Sequence, residues 1–292
     1  MTKTVLVPSS LVRETRDKRE ATRKLGYVAR AATVFRIDRL VVYPDRDGQT
    51  RWGDGFVRTV LAYAATPPYL RKELWGQCDE LEYVGVLPPL LAVTQTGSGS
   101  DDPGSLRQGI VTEVGSDGRV RVNCGLQHPI SLPVPSSLTV DQGERVTIRI
   151  ASEEPLRARI ITDESPPGVR VERATMDVAL NRTDSGVRIA ASRYGEELSI
   201  ESLTTLSQQL TGATPSEEPS FTVAFGAPER GLPKILDIDP DGVELRDTPS
   251  ADDSQPDRSR FDLWLNTVPR QGSETIRTEE ALFATLACLN LE

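Results

Sequence analysis

Two loops carry the residue types best suited to binding a small molecule. In Phe225–Leu232, glycine and proline follow directly on a short apolar run, and Leu265–Glu280 is a long polar loop between an apolar run and a helical pattern. Ligands of open α/β sheets bind outside the carboxyl ends of the strands, and glycine lets the backbone approach a ligand closely. The two loops are candidates for a ligand site, although each taken alone is more typical of a structural turn. Thr278 is expected to cap the helix that follows the second loop.

Several kinds of chemistry are disfavoured by what the sequence lacks. Neither a GxxxxGK[ST] nor a GxGxxG pattern occurs, so a nucleotide di- or triphosphate is not the expected ligand. His128 is the single histidine, and Cys78, Cys124 and Cys288 are widely separated. These residues do not predict a disulfide framework, a zinc site or a Ser-His triad, and we expect no metal.

The charge balance is acidic, with 43 acidic residues against 34 basic ones and a net charge of -9. The basic residues are almost all arginine, because lysine occurs only at positions 3, 18, 24, 72 and 234. Carboxylates hold surface water in concentrated salt, whereas lysine stems add exposed apolar area. We interpret the composition as an adaptation to high salt, and the alternative is an ordinary acidic protein.

One segment departs from this acidic balance. Residues 13–39 contain nine basic and four acidic side chains, which leaves a local charge of +5. Leu25, Val28, Ala29, Ala32 and Phe35 recur at helical spacing, so we predict a helix over residues 11–36 with one buried face. Its arginines are expected to contact RNA phosphates, and the alternative is a solvated helix surface with local ion pairs.

The first third of the chain predicts an α/β domain. Thr4–Pro8 and Leu40–Tyr43 are apolar runs on either side of the predicted helix, and strand, helix, strand is typical of a parallel βαβ unit. A second helix is indicated over Phe56–Ala64, and Leu81–Val86 is predicted to be a third strand. The flexible, low-complexity segment Gln95–Gly104 marks a boundary.

The pattern then changes to short alternating segments without helical spacing. Five strands are predicted: Gly109–Val114, Arg119–Asn123, Ile130–Pro133, Arg145–Ile150 and Arg157–Thr162. Five short strands are typical of an OB-like β-barrel that binds single-stranded nucleic acid. A barrel whose arginines only solvate it is the alternative, because few aromatic side chains are available for base stacking.

After Pro166 the α/β pattern resumes, so the barrel is predicted to be an insertion. Strands are indicated at 186–191, 221–225 and 261–265, and helices at 197–210 and 278–289. No apolar run approaches the roughly 20 residues needed to span a bilayer, and the N-terminus lacks the features of a cleaved signal. We expect a cytoplasmic protein without membrane contact.

The C-terminal string Phe261–Leu282 is the most specific part of the sequence. It closely resembles the C-terminal signature of the SPOUT methyltransferases, in the archaeal and eukaryotic branch of RNA uridine-N3 methyltransferases. Further matching segments are Gly26–Phe35, Pro67–Lys72, Gly109–Val111, Val122–Gly125, and Phe225–Gly226 with Glu229–Gly231. The resemblance touches most of the chain in order, and residues 170–215 match least.

This resemblance implies a fold class and an assembly. The fold is an α/β parallel sheet with a deep C-terminal trefoil knot, interrupted by a small OB-like β-barrel insertion. The corresponding boundaries are 1–88 for the N-terminal part of the SPOUT domain, 89–165 for the barrel, and 166–292 for the part with the knot and the cofactor site. The resemblance also implies a homodimer whose active site borders the partner.

The resemblance implies S-adenosylmethionine as the cofactor and structured RNA as the substrate, with ribosomal RNA as the expected class. Its binding residues are Gly226, Pro228, Arg230, Gly231, Leu265, Asn266, Pro269, Gln271, Gly272, Ser273, Ile276 and Thr278. If the target is uridine N3, Arg30 and Arg277 are candidates for stabilising charge on the imide oxygens, and Glu279 is a candidate base. For each of the three, an ion pair that closes the knot or the dimer is the alternative.

Two rival interpretations belong to other classes. An RNA-binding ribosome-assembly factor would keep the fold without catalysis, and it would leave no methyl mark on RNA. A protein-binding scaffold would bind neither the cofactor nor RNA.

Overall fold

The computed structural model describes residues 2–48, 51–53, 55–88, 90, 105–153, 155–162, 168–211, 219–238 and 260–290. The predicted connector Gln95–Gly104 lies outside these residues. The chain divides into two compact units, of which the first comprises Met1–Ala65, Asp79–Pro89 and Val169–Glu292. The second comprises Thr66–Cys78 and Leu90–Gly168.

The secondary-structure elements are named here in chain order. The strands are β1 (Lys3–Pro8), β2 (Arg39–Tyr43), β3 (Ser105–Val114), β4 (Arg119–Asn123), β5 (Ile130–Pro133), β6 (Arg145–Glu153), β7 (Leu156–Ile161), β8 (Arg170–Arg173), β9 (Val187–Glu197), β10 (Phe221–Phe225) and β11 (Leu263–Asn266). The helices are α1 (Lys18–Val34), α2 (Phe56–Ala65), α3 (Arg71–Leu74), α4 (Met176–Leu180), α5 (Ile200–Thr211), α6 (Leu232–Leu236) and α7 (Thr278–Leu289).

The first unit contains a six-stranded parallel sheet in the order β11-β9-β10-β1-β2-β8. The central strands β1 and β10 are buried along their whole length, as expected for apolar runs covered on both faces. β1 and β2 pair in parallel with Val5 opposite Leu40, which confirms the predicted βαβ unit. The parallel α/β sheet is therefore confirmed.

Helix α1 begins seven residues later than the predicted helix over 11–36. Residues 9–14 form successive turns, in which Leu11 N donates to Pro8 O and Arg13 N to Ser10 O. The helix starts after Asp17, because the Asp17 carboxylate accepts from Glu20 N at 2.7 Å and so satisfies one of the free amides of the first turn. It ends before Arg36, whose φ of 53° is left-handed.

The strand predicted over Leu81–Val86 was wrong. This segment forms two 3-10 turns, Asp79–Leu81 and Val84–Val86. Its amides are satisfied locally, since Val86 N donates to Tyr83 O and Leu87 N to Val84 O. The sheet position beside β2 belongs instead to β8, a short polar strand that its composition did not indicate.

The second unit contains a five-stranded antiparallel sheet in the order β5-β4-β3-β6-β7. All five predicted strands of this region are confirmed. Their inward side chains form one apolar core that includes Val120, Val122 and Ile148, so the sheet curves around its own interior as a near-barrel. Gly118 closes the β3–β4 turn with a φ of +74°, which glycine adopts without strain.

The helices of the first unit cover the sheet with the faces that the sequence predicted. Leu25, Val28 and Ala32 of α1 are buried. The buried residues of α2 recur at helical spacing and are Phe56, Val57, Val60, Leu61 and Ala64. Within the part of the chain that the structure describes, no helix is both long and apolar enough to cross a bilayer.

Candidate active site

The middle of β9 and the carboxyl ends of β10 and β11 surround a cavity of about 500 Å³ in the first unit. These three strands are neighbours, with β9 between the other two. The cavity is therefore lined by Ala191–Tyr194 in the middle of β9 and by the loops that follow β10 and β11. Its volume lies in the usual range for a small-molecule site, and its lining mixes apolar side chains with backbone groups and a few charges.

The loop after β10 is a tight turn that depends on Gly226. A Cβ on Gly226 would lie 2.7 Å from Gly231 Cα and 2.8 Å from Leu232 N, so no other residue fits without opening the turn. Ala227 and Arg230 exchange two backbone hydrogen bonds of 3.0 Å each across it. Glu229 at the tip has a left-handed φ of 59°, a strained conformation of the kind found at functional sites.

The loop after β11 folds back on itself through polar side chains. Asn266 Oδ1 accepts from Val268 N at 3.1 Å, and Gln271 Nε2 donates to Ser273 O at 2.8 Å. Ser273 Oγ donates to Thr275 O at 3.0 Å. These hydrogen bonds fix the conformation of the loop, which lines the cavity and contains no regular secondary structure. The loop is called the arch below.

Thr278 joins the two loops directly. Its hydroxyl donates to Gly226 O at 2.9 Å, although 52 residues separate them. Thr278 is thus the first residue of α7 rather than its cap, and the prediction that it caps the helix was wrong. The N-cap is Arg277, whose backbone N donates to the Glu280 carboxylate at 2.9 Å.

The third wall of the cavity comes from β9 and was missed by the sequence analysis. It consists of Ala191–Tyr194, and the Arg193 guanidinium carbon lies 4.8 Å from the centre of the Tyr194 ring. β9 was predicted to end at 191, whereas it continues to Glu197. Gly195 allows this, because a Cβ there would lie 2.6 Å from Leu265 N of the neighbouring strand.

The structure brings together most of the predicted cofactor-binding residues. Eight of them line the cavity: Gly226, Pro228, Gly231, Leu265, Asn266, Gln271, Ile276 and Thr278. The remaining four are not among its lining residues: Arg230, Pro269, Gly272 and Ser273. Pro269, Gly272 and Ser273 lie in the same arch, and Gly272 has open space around the position of a Cβ.

Arg230 supports the first loop from its buried side. Its Nε donates to both carboxylate oxygens of Asp45, at 2.9 and 3.1 Å, and both side chains are buried. Asp45 also accepts from the Ser10 hydroxyl at 2.6 Å. The hydrogen bond to Asp45 is the main reason that the pKa of Arg230 is raised, so the guanidinium stays charged. The position of the turn thus depends on a buried ion pair.

Removing Asp45 should therefore destabilise the fold. In Asp45→Ala, the exposed Asp47 carboxylate, 3.6 Å away, is the one ion-pair partner that the described residues still offer the Arg230 guanidinium. We expect a loss of about 3 kcal/mol in the free energy of unfolding, measured by chemical denaturation, because one charge of a buried pair is left uncompensated. Asp47→Ala is the matched control and should cost less than about 1 kcal/mol. Equal losses in the two variants would contradict this account.

The catalytic candidates fall into two groups. Arg277 and Glu279 flank Thr278 at the start of α7, and Glu279 is buried. Glu279 Oε2 lies 3.5 Å from Lys24 Nζ, and Lys24 also pairs with Glu14. Burial raises the pKa of Glu279, and Lys24 partly opposes that shift. Arg30 is half-buried on α1 and is not among the described residues that line the cavity.

Comparison with known proteins identifies the family of the chain. Residues 2–289 match the family described as "Putative RNA methyltransferase". The chain belongs to this family of RNA methyltransferases.

Its relatives span archaea and animals. The chain is 62% identical to an uncharacterised protein of Haloarcula marismortui, over 100% of this chain and 99% of the relative. It is 28% identical to the 28S rRNA (uridine-N(3))-methyltransferase of Mus musculus, over 99% of this chain and 76% of that protein. It is also 28% identical to the human enzyme of the same name, over 99% of this chain and 77% of that protein.

Proposed function

We propose that this chain transfers a methyl group from S-adenosylmethionine to N3 of a uridine in ribosomal RNA. The observation that carries the proposal is that the loops after β10 and β11 meet at one cavity and are joined there by the Thr278–Gly226 hydrogen bond. The RNA class and the acceptor atom come from the names of the animal relatives.

The residues around the cavity suit S-adenosylmethionine. The turn at Gly226 is too tight for a Cβ, so glycine is what keeps this stretch of main chain in place at the wall of the cavity. Leu265 and Ile276 offer apolar contact for a flat base. Glu229 and Glu274 place carboxylates in the lining, and these favour a ligand that carries a positively charged sulfur and an amino group. We propose that the other predicted cofactor-binding residues, which lie on the same two loops, also contact S-adenosylmethionine.

When bound, S-adenosylmethionine supplies a methyl group that is already activated for attack by a nitrogen nucleophile. The protein then has to align the acceptor and remove its proton, so positioning provides much of the rate enhancement. We assign proton removal to Glu279, because a buried carboxylate with a raised pKa is a better base near neutral pH than a solvated one. Arg277, beside it, is suited to stabilise charge that develops on the imide oxygens. Arg30 stays a prediction for the same role.

The finer features of the fold are also proposals. We infer the deep trefoil knot, the OB type of the near-barrel, and the boundaries 1–88, 89–165 and 166–292 from the family resemblance. The antiparallel order β5-β4-β3-β6-β7 supports the OB assignment. The homodimer, with the partner bordering the active site, is inferred from the resemblance alone.

The decisive experiment compares ribosomal RNA from a deletion strain with that of its parent by mass spectrometry. We expect one N3-methyluridine to disappear from the ribosomal RNA and to return when the wild-type gene is restored. A gene that carries Gly226→Ala should not restore it. An unchanged modification pattern in the deletion strain would contradict the proposal and favour a non-catalytic RNA-binding role.

A further inference from the structure

A second cleft, here called the α1 cleft, lies between the start of α1 and the start of α7. It encloses about 560 Å³, and Arg16, Arg19, Arg23 and Arg277 line it. All four side chains are exposed. Among the described residues, no carboxylate lies within ion-pair distance of these four guanidinium groups. Such a group of arginines around one concavity favours an anionic ligand, because guanidinium matches phosphate oxygens in both charge and geometry.

The acidic residues in this cleft are already used by other groups. The Asp17 carboxylate caps α1 by accepting from Glu20 N, and the Glu20 carboxylate accepts from Arg16 N at 2.9 Å. Glu14 pairs with the buried Lys24. The lining thus holds four arginines against three carboxylates, and these carboxylates are directed to other groups rather than to the arginines.

A second cavity of about 40 Å³, here called the floor of the α1 cleft, shares Glu14, Glu20, Arg23 and Arg277 with the cleft and adds Lys24 and Glu279. Its lining therefore places three carboxylates beside three cationic groups. Oε2 of Glu14 and Oε2 of Glu279 are buried there without a hydrogen-bond donor among the described residues. The distance of 3.5 Å from Lys24 Nζ is too long to satisfy Glu279 Oε2 well. Buried acceptors of this kind call for a donor from a ligand.

We propose that the α1 cleft binds one uridylate unit of the substrate RNA, with a phosphodiester on its arginines and the polar edge of the base at its floor. This inference rests on the proposed function and specifies where the acceptor uridine of the RNA binds. A simple anion has no hydrogen-bond donor for the two buried carboxylate oxygens of the floor, whereas a uridylate carries both a negative phosphate and an N3–H donor. The floor cavity admits only the edge of a base, since 40 Å³ is little more than one water's share of volume.

The position of the cleft relative to the cofactor cavity agrees with this role. Thr278 lines the cofactor cavity, whereas its neighbours Arg277 and Glu279 line the floor of the α1 cleft. The first turn of α7 therefore contributes to both concavities. A nucleotide in the α1 cleft would present its base edge to Glu279, the residue to which we assign proton removal.

The test measures RNA affinity by fluorescence anisotropy with a labelled oligouridylate, over a series of salt concentrations at which circular dichroism shows a folded protein. The Arg16→Ala/Arg23→Ala double variant should bind more weakly, and the slope of log affinity against log salt should fall by about 0.7 for each phosphate that is no longer neutralised. Arg58→Ala removes an exposed arginine of α2 outside the cleft and is the matched control. Equal slopes for the double variant and the control would overturn the proposal.

Competition with small probes separates a nucleotide site from a simple anion site. Uridine 5′-monophosphate should displace the labelled RNA from the wild type at concentrations where inorganic phosphate does not. Equal displacement by phosphate would overturn the uridylate assignment. Calorimetry with S-adenosylmethionine on the double variant should match the wild type. If the wild type does not bind S-adenosylmethionine, the proposed function is wrong. The slopes of log affinity against log salt still test whether RNA binds in the α1 cleft.

Discussion

Replacing Gly226 by alanine is expected to lower the affinity for S-adenosylmethionine by roughly 100-fold or more, measured by isothermal titration calorimetry. The added Cβ would lie 2.7 Å from Gly231 Cα and 2.9 Å from Arg230 O, well inside the usual carbon contact of about 3.5–4.0 Å. Both are backbone atoms, so no side-chain rotation relieves the overlap. The turn must open, and Gly226 O then moves away from the Thr278 hydroxyl that joins the loops.

Two further variants make this result interpretable. Gly85→Ala introduces the same methyl group at a position of the first unit with no atom within 4 Å, so it should leave binding unchanged. Gly272→Arg also meets open space, so it should fold normally, yet it brings a positive charge into the arch over the cavity. We expect it to weaken binding of the positively charged cofactor. Wild-type affinity in both Gly226→Ala and Gly272→Arg would contradict the location of the site.

The sheet was predictable wherever burial dictated residue type. β1, β2 and β10 are apolar runs because both their faces are covered, and the alternating pattern of the second unit follows from one covered face. β8 has the polar sequence Arg170–Arg173 and lies at the edge of the sheet, where composition carries little signal. Leu81–Val86 has the composition of a strand, but its backbone is satisfied by local turns and needs no sheet partner.

The candidate site was predictable in its loops and less so in its surroundings. Gly226 and the polar arch after β11 are visible as breaks in apolar runs, and loops that follow neighbouring parallel strands emerge at one edge of the sheet. The support given by Asp45 to Arg230 spans 185 residues and follows no periodicity. The wall at Arg193 and Tyr194 depends on how far β9 continues, which the close approach of Gly195 to β11 determines.

The position of Glu279 shows why residue type alone leaves a role open. The glutamate was a candidate base because of the resemblance, but an ion pair remained an equal alternative. Glu279 lies beside Lys24, but Oε2, the oxygen that faces Lys24 Nζ at 3.5 Å, is buried and has no hydrogen-bond donor among the described residues. An ion pair that only closed the fold would bring this oxygen within hydrogen-bond distance of the ammonium group, so the unsatisfied acceptor favours a role toward a ligand.

Replacing Glu279 by glutamine should reduce the rate of methyl transfer by between about 100- and 10,000-fold, the usual contribution of a general base. Only the carboxylate form accepts a proton, so the wild-type rate should rise as pH increases through the pKa of Glu279. Because burial raises that pKa, this rise should occur above the usual range for glutamate. In Glu279→Gln the rise should disappear, and methylation rates measured across a pH series test both statements.

A matched control and a stability measurement separate this role from a structural one. Glu280→Gln removes the same charge from the same turn but keeps an oxygen that accepts from Arg277 N, so its rate should stay near wild type. A carboxyl whose pKa is raised by folding stabilises the protein at low pH, and that contribution is lost as pH increases through the raised pKa. Glutamine is neutral at every pH, and Glu14 still pairs with Lys24, so the unfolding midpoint of Glu279→Gln at neutral pH should not fall. A lower midpoint with an unchanged pH profile would assign Glu279 to the fold rather than to the reaction.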